Sequence, residues 1–170
     1  MHLRPVRFGG PSKRVVGAMA DNDRSLADLT DGIRVAMLTL QHPGGLEAVP
    51  LTVQKVDGDV VWFLVGEGAD WLDALDGPAH LAFVDDKVWV SATGTAGLVS
   101  DAKTTEDLGD PISESWFQEG QTPVALRFLV AHGSWWSAPG AARAALGLVK
   151  AKVTGSEPDI GEHGALGSPR

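Results

Sequence analysis

Five histidines, a serine before paired tryptophans, two adjacent aspartates and a glycine-containing hexapeptide are the residues best placed for chemistry in this 170-residue chain. Metal ligation needs His, Asp or Glu converging from one element or its neighbours. His2, His42, His80, His132 and His163 show no close pairing on one element and read as surface or capped histidines. Ser134, in HGSWW, lacks the Gly-x-Ser-x-Gly setting that exposes a nucleophile on a strained turn. Asp85-Asp86 falls at a predicted hairpin tip, where solvated turn chemistry outweighs an acid/base pair. The stretch GEGADW at 66–71 has two glycines but neither the third glycine nor the lysine of a phosphate-binding loop. There is no cysteine, which removes thiolate nucleophiles, disulfides and zinc–thiolate or iron–sulfur sites.

Six tryptophans remain: Trp62, Trp71, Trp89, Trp116, Trp135 and Trp136, in a chain with no tyrosine. Large amphipathic rings concentrate in cores, interfaces and ligand pockets, so packing is their first expected use and a flat ligand the second.

Charge narrows the partners. Residues 1–20 carry Arg4, Arg7, Lys13 and Arg14 and no acid, so of the net −8 the remaining residues 21–170 carry −12. A body this acidic, without a basic stripe, repels a phosphate backbone, and nucleic acid is not an expected partner. No apolar run approaches the about 20 residues that span a bilayer, so no membrane span is expected. The apolar piece Val15–Ala20 is shorter than the about 7–15 residues of a signal-peptide core, and the lack of cysteine suits a reducing compartment, so a cytoplasmic location is expected. Residues 1–18 read either as an extension upstream of Met19-Ala20-Asp21 or as an ordinary flexible tail.

Positioning elements follow from periodicity and turn signals. Ser25 before Leu26, Ala27 and Leu29, with Gly32 behind, predicts a short helix near 23–32. Strand-like runs then cover 33–41, 46–56 and 60–65, separated by His42-Pro43-Gly44-Gly45 and by Asp57-Gly58-Asp59. Residues 68–76 read as a helix stopped by Gly77-Pro78. A second hairpin joins 79–84 to 87–99, with Val88, Val90, Ala92, Ala96 and Leu98 on one parity and Gly94 at a bend or close backbone approach. A helical interlude over about 101–119 precedes a strand from Val124 that continues towards Trp136, and Pro139 opens an alanine-rich helix. Strands joined by tight turns, without regular crossover helices, predict a mainly β protein, a β-barrel with peripheral short helices. The division expected is a basic tail over 1–22, a barrel domain over 23–154 and an irregular Gly/Pro-rich end over 155–170.

The segments IRVAMLTL, VPLTVQKVDGDVVWFLV, LAFVDDKVWVSATGTAGLVSD, SWFQEG and WWSAP, closing with KAKVTGSEPDIGEHG, run in the order found in a known family. Over about residues 24–164 the chain resembles the general-stress-protein branch of the pyridoxamine 5'-phosphate oxidase-like, FMN-binding split barrels. The resemblance implies a split β-barrel homodimer with two FMN sites at the subunit interface. Carried over by position, ring contacts would fall on Val49, Pro50, Leu51 and Thr52 and on Trp62, Phe63 and Leu64, with Trp116 and Trp136 near the pocket. The basic residues that the family places around the phosphate are Ala48, Ala69 and Asp70 here. Between Lys55 and Lys87 stand eight acids and no lysine or arginine. Two functions therefore stand side by side: a flavin-dependent redox protein with a weakened phosphate site, or a non-catalytic dimeric stress or binding protein that has lost flavin, its Trp-lined pocket open to another small aromatic ligand.

Overall fold

Turn glycines set the strand boundaries. The computed structural model describes residues 24–109, 121–138 and 162–166. Strands β1 (Val35–His42), β2 (Gly45–Asp57) and β3 (Val60–Gly66) form a meander. Gly58, first of the two residues linking β2 to β3, takes φ 58°, the left-handed conformation that a tight hairpin requires at that place. After a 3₁₀ turn at Asp70–Ala74 come β4 (Pro78–Val84) and β5 (Val88–Val99), then β6 (Pro123–Ser137) and β7 (His163–Leu166). Every pairing is antiparallel. The order is β3-β2-β1-β4-β5-β6-β7, and β3 also pairs with β6, which closes six strands into a barrel and leaves β7 as an extension along β6.

The period-2 pattern sends one parity inward. Ala36, Leu38 and Leu40 of β1, Val61, Phe63 and Val65 of β3, Leu81 and Phe83 of β4, Val90 and Ala92 of β5 and Leu126, Phe128 and Trp135 of β6 are all buried. The short helix α1 (Leu26–Thr30) lays Leu26 and Leu29 onto this core. Ser25 caps it: its Oγ accepts from the Asp28 amide at 3.1 Å and donates to Asp28 Oδ2 at 2.6 Å. The helix is shorter than the expected 23–32 because the cap fixes its start at Leu26 and Gly32, at φ 79°, follows its end. A second helix, α2 (Ala102–Leu108), is capped by Asp101, whose Oδ2 accepts from the Thr104 amide at 3.0 Å and its hydroxyl at 2.7 Å. It packs on β6, where Thr105 Oγ1 accepts from the Ala125 amide at 3.3 Å.

Three expectations change. The helix foreseen over 68–76 is only the five-residue 3₁₀ turn, which follows Gly68 at φ 85° and, unlike α1 and α2, has no side-chain cap at its start. Leu98 is 42% exposed, so the buried parity of β5 ends at Ala96. The 155–170 end, expected to be irregular, contains β7. Its composition hides it, because Gly164 is there to make room: a Cβ at that position would come within 2.5–2.9 Å of the Trp135 indole. Arg24 ties this corner together, with its Nη2 3.2 Å from Glu162 Oε2 and its guanidinium 5.2 Å from the Trp135 ring centre. The tail at 1–18, the remainder of the 101–119 interlude beyond Gly109 and the alanine-rich helix after Pro139 lie outside the described residues.

Gly94 is the close approach foreseen. The β5–β6 register shifts between Thr93 and Gly94, and a Cβ on Gly94 would collide with the Leu129 carbonyl oxygen and stand 3.0 Å from the Phe128 ring. Gly94→Ala is expected to lower unfolding free energy by about 1–3 kcal/mol, the usual cost of overpacking, measured as a shift in the urea midpoint. The caps make a second, pH-dependent prediction. The Ser25 hydroxyl and amide hold the Asp28 carboxyl below its ordinary range, and the Thr104 hydroxyl and amide do the same for Asp101. A lowered folded pKa contributes stability that is present above the unfolded value of about 3.9 and is lost as pH falls through the folded value. Carboxyl NMR titrations should place both midpoints under about 3.9, and Ser25→Ala should return that of Asp28 towards it.

Candidate ligand-binding cleft

A β-bulge opens the site. Val53 pairs with Phe63 and Lys55 with Trp62, so Gln54 is the extra residue that the β2–β3 ladder cannot place. Beside it a cleft of about 230 Å³ is lined by Pro50, Leu51, Thr52 and Gln54 of β2, by Leu64, Val65 and Gly66 of β3, by Ala69 and Trp71 of the following turn and by Gln121 ahead of β6. Its floor is apolar, with Leu51 and Val65 belonging to the core. Its polar groups are one hydroxyl and two carboxamides. Gln121 also touches Gly66, where a Cβ would stand 3.2 Å from its carboxamide carbon, so the glycine lets the two segments close. None of the ten lining residues is ionisable.

The turn that walls the cleft has the opposite character. Glu67, Asp70, Asp73 and Asp76 lie along it without a cation, and the amide of Glu67 donates to the Thr122 carbonyl at 2.8 Å, which joins the turn to the start of β6. Among the described residues, the nearest basic ones by register are Arg34, whose carbonyl accepts from the Val53 amide at 2.9 Å, and Lys55 and Arg127, which flank Trp62 across β2, β3 and β6. Trp62 is two residues along β3 from Leu64, so that pair lies beyond the cleft, and Lys55 Nζ is 3.0 Å from Asp57 Oδ2.

Of the residues singled out in sequence, Pro50, Leu51, Thr52 and Leu64 come together in the cleft, and the replaced phosphate position Ala69 joins them. Val49 packs against the core, Phe63 is wholly inside it and Trp62 faces outward between Lys55 and Arg127. Ala48 is exposed on β2 opposite Thr39 of β1, and Asp70 opens the 3₁₀ turn. Trp136 lies across the sheet, opposite Trp89 and His163, and is 46% exposed. Trp116 is outside the described residues. Sequence reasoning missed Gln54 and Gln121: a bulge leaves no local signal, and Gln121 arrives from 55 residues beyond Gly66. Trp71, named in sequence only among the six tryptophans, lines the cleft.

Around the cleft spreads an uncharged surface. The outward positions of β1, β2, β4, β5, β6 and β7 include Val35, Met37, Ala48, Pro50, Thr52, Ala82, Val84, Trp89, Ser91, Ser134, Trp136 and Ala165. On β1, β4, β5 and β7, on β2 up to its bulge and on the second half of β6, no outward position carries Asp, Glu, Lys or Arg, whereas Lys55, Asp57 and Arg127 stand outward beyond the bulges, in a chain of net charge −8. His80, whose Nε2 is 2.8 Å from Ser91 Oγ, lies near the middle, and His132 and His163 are at the β6–β7 side. No group of three metal-ligating side chains occurs among the described residues, and no helix among them is long and apolar enough to cross a membrane.

An antiparallel six-stranded barrel, extended by one strand and with short peripheral helices, is the split-barrel class. The family described as Pyridoxamine 5'-phosphate oxidase like matches residues 21–159, and the chain belongs to it. No curated protein matches. Among solved structures, a general stress protein 26 candidate from Jannaschia sp. CCS1 is 25% identical, with 83% of this chain and 94% of that one covered at a TM-score of 0.68. General stress protein 26 from Bacillus anthracis str. Sterne is 11% identical over 63% of this chain and 87% of its own, at TM-score 0.56. A general stress FMN/FAD binding protein from Xanthomonas citri is 21% identical over 62% and 80%, at TM-score 0.53. The last two likenesses are of fold alone.

Proposed function

We propose that this chain acts as a homodimeric split barrel that holds the ring of a flavin-type heteroaromatic in the β2–β3 cleft. The observation that carries the reading is that the cleft opens at the margin of the uncharged sheet face, with Pro50 and Thr52 belonging to both. Interfaces are depleted of charge at their centre, and an exposed apolar face of this extent marks an association surface. Thr52, Val35, Val84, Trp89 and Trp136 lie along one cross-strand row, continuing the Ala36–Phe83 register. A two-fold axis parallel to the strands at the middle of that face would set the partner's Trp136 over Thr52. At about 230 Å³ the cleft is smaller than complete small-molecule pockets of roughly 300–1,000 Å³, in keeping with a site that two copies finish. The name of the Xanthomonas citri relative, FMN/FAD binding, supports the class of ligand.

FMN meets this chain unevenly. The β2 and β3 backbones, Leu64 and Trp71 suit its ring, whereas Ala69, Glu67 and Asp70 do not suit a phosphate dianion. The cleft holds no side chain able to act as general acid or base, so redox chemistry would be that of a bound ring, with the protein supplying orientation and exclusion of water. The second reading, a dimer that kept the barrel without flavin, draws on that same acidic turn.

Two outcomes are expected. Light scattering at micromolar concentration should give twice the 17.8 kDa chain mass, and Met37→Asp, on the outward face near its centre, should give the single-chain mass with unchanged far-UV circular dichroism. Protein purified gently from its host should show FMN absorbance at well below one per subunit, and Ala69→Trp, which fills the cleft, should remove tryptophan quenching by added flavin. A stoichiometric yellow complex as purified would contradict the weakened phosphate site.

A further inference from the structure

Resting on the reading that the cleft receives a flavin-type ring, we infer that it selects the uncharged heteroaromatic and excludes the phosphorylated form. The cleft and the turn beside it separate the two halves of such a ligand. Leu51, Leu64, Val65 and Trp71 offer apolar and aromatic surface to a ring, and Thr52, Gln54 and Gln121 offer a hydroxyl and carboxamides, the neutral donors and acceptors that match ring carbonyl and imide edges. Nothing among the ten lining residues carries charge. The turn that carries the lining residues Ala69 and Trp71 also carries Glu67, Asp70, Asp73 and Asp76, so a phosphate that left the cleft beside Ala69 would meet carboxylates.

Among the described residues the alternatives for counter-charge are few, and Arg34, whose carbonyl accepts from the Val53 amide at 2.9 Å, lies on the β1 side of β2, across that strand from β3. From Val56 to Asp86 no lysine or arginine occurs, while eight acids do. Lys55 is held at 3.0 Å by Asp57. Arg127 stands across from Trp62, one outward position past Leu64, on the side away from Ala69. The Asp70–Ala74 turn has five residues, too few for a helix terminus to serve as an anion site. A dianion entering this environment gives up hydration without gaining a partner, whereas a hydroxyl in the same place keeps its water. The discrimination is electrostatic, so it must also weaken as salt screens the carboxylates.

Riboflavin and FMN share one ring and differ by one phosphate, which makes them the probes. Titration of the full chain, followed by tryptophan quenching and by calorimetry, should give riboflavin at least a tenfold lower Kd than FMN at low salt. Raising salt from 20 mM to about 500 mM should narrow that ratio by strengthening FMN and leaving riboflavin unchanged. Glu67→Lys combined with Asp70→Lys, neither of them a lining residue, should lower the Kd of FMN at least tenfold with little change for riboflavin. Arg127→Gln should alter neither. Equal or tighter binding of FMN by the unmodified protein would overturn the selectivity and leave the ring-binding reading standing, and a loss of FMN affinity in Arg127→Gln would do the same by revealing a phosphate contact. Absence of binding by either probe would overturn the ring-binding reading itself.

Discussion

β6 bonds to three strands, and the rest of the structure depends on that arrangement. Its first half, from Pro123 to Leu129, pairs with β3 on one edge, its second half pairs with β7 on the same edge, and β5 runs along the other edge for nearly the whole length. Without the β3 contact the sheet would be an open seven-stranded ribbon with two unpaired edges, which a sheet of this length cannot leave to solvent without risk of association. With it, six strands enclose one core and only short edges remain. One strand can serve both halves because it bends, and it bends where Gly94 lets the Leu129 carbonyl press against β5. A single missing Cβ therefore separates a closed barrel from a strained one.

Closure also sorts the charge. A barrel interior accepts one parity of each strand, and this chain fills it with Ala, Leu, Val, Phe and one Trp. The outward parity of β1, β4 and β5, of β2 up to its bulge and of the second half of β6 is neutral, and many of the carboxylates stand at strand ends, turns and helices: Asp57 and Asp59, Glu67 to Asp76, Asp85 and Asp86, Asp101 and Asp107. Such a chain carries much of its charge at the rims and leaves the neutral strand positions open to association. The cleft lies where the two regimes meet, neutral on its strand side and acidic on its turn side.

That boundary explains what the sequence made legible. Hairpins could be read because Asp57-Gly58 and Asp85-Asp86 interrupt runs of period 2, and the cleft-lining residues Pro50, Leu51, Thr52 and Leu64 were reached through the family resemblance. The absence of cations beside Ala69 could be read by counting. Gln54, Gln121 and β7 could not, for one common reason: each owes its place to a partner far along the chain. Gln54 is displaced by the register of β3, Gln121 is brought in by the turn at Gly66, and the four residues of β7 become a strand because Trp135 leaves room only for Gly164. Local propensity carries no record of such contacts.

On the proposed reading the cleft and the association face share Pro50 and Thr52, and this sharing has a thermodynamic consequence. A ligand that touches residues from both copies binds the dimer and not the separate chain, so it must draw the chains together by the same factor by which pairing improves its own affinity. The ring would then be valued for area buried between Leu64 and Trp71 on one side and the partner's Trp136 on the other, a contribution that needs no charge. A phosphate adds nothing to that contact and places two negative charges beside four carboxylates. On this reading apolar burial and electrostatic repulsion act on different parts of one ligand, so the strands can keep a ring while the acidic turn beside them disfavours its phosphate.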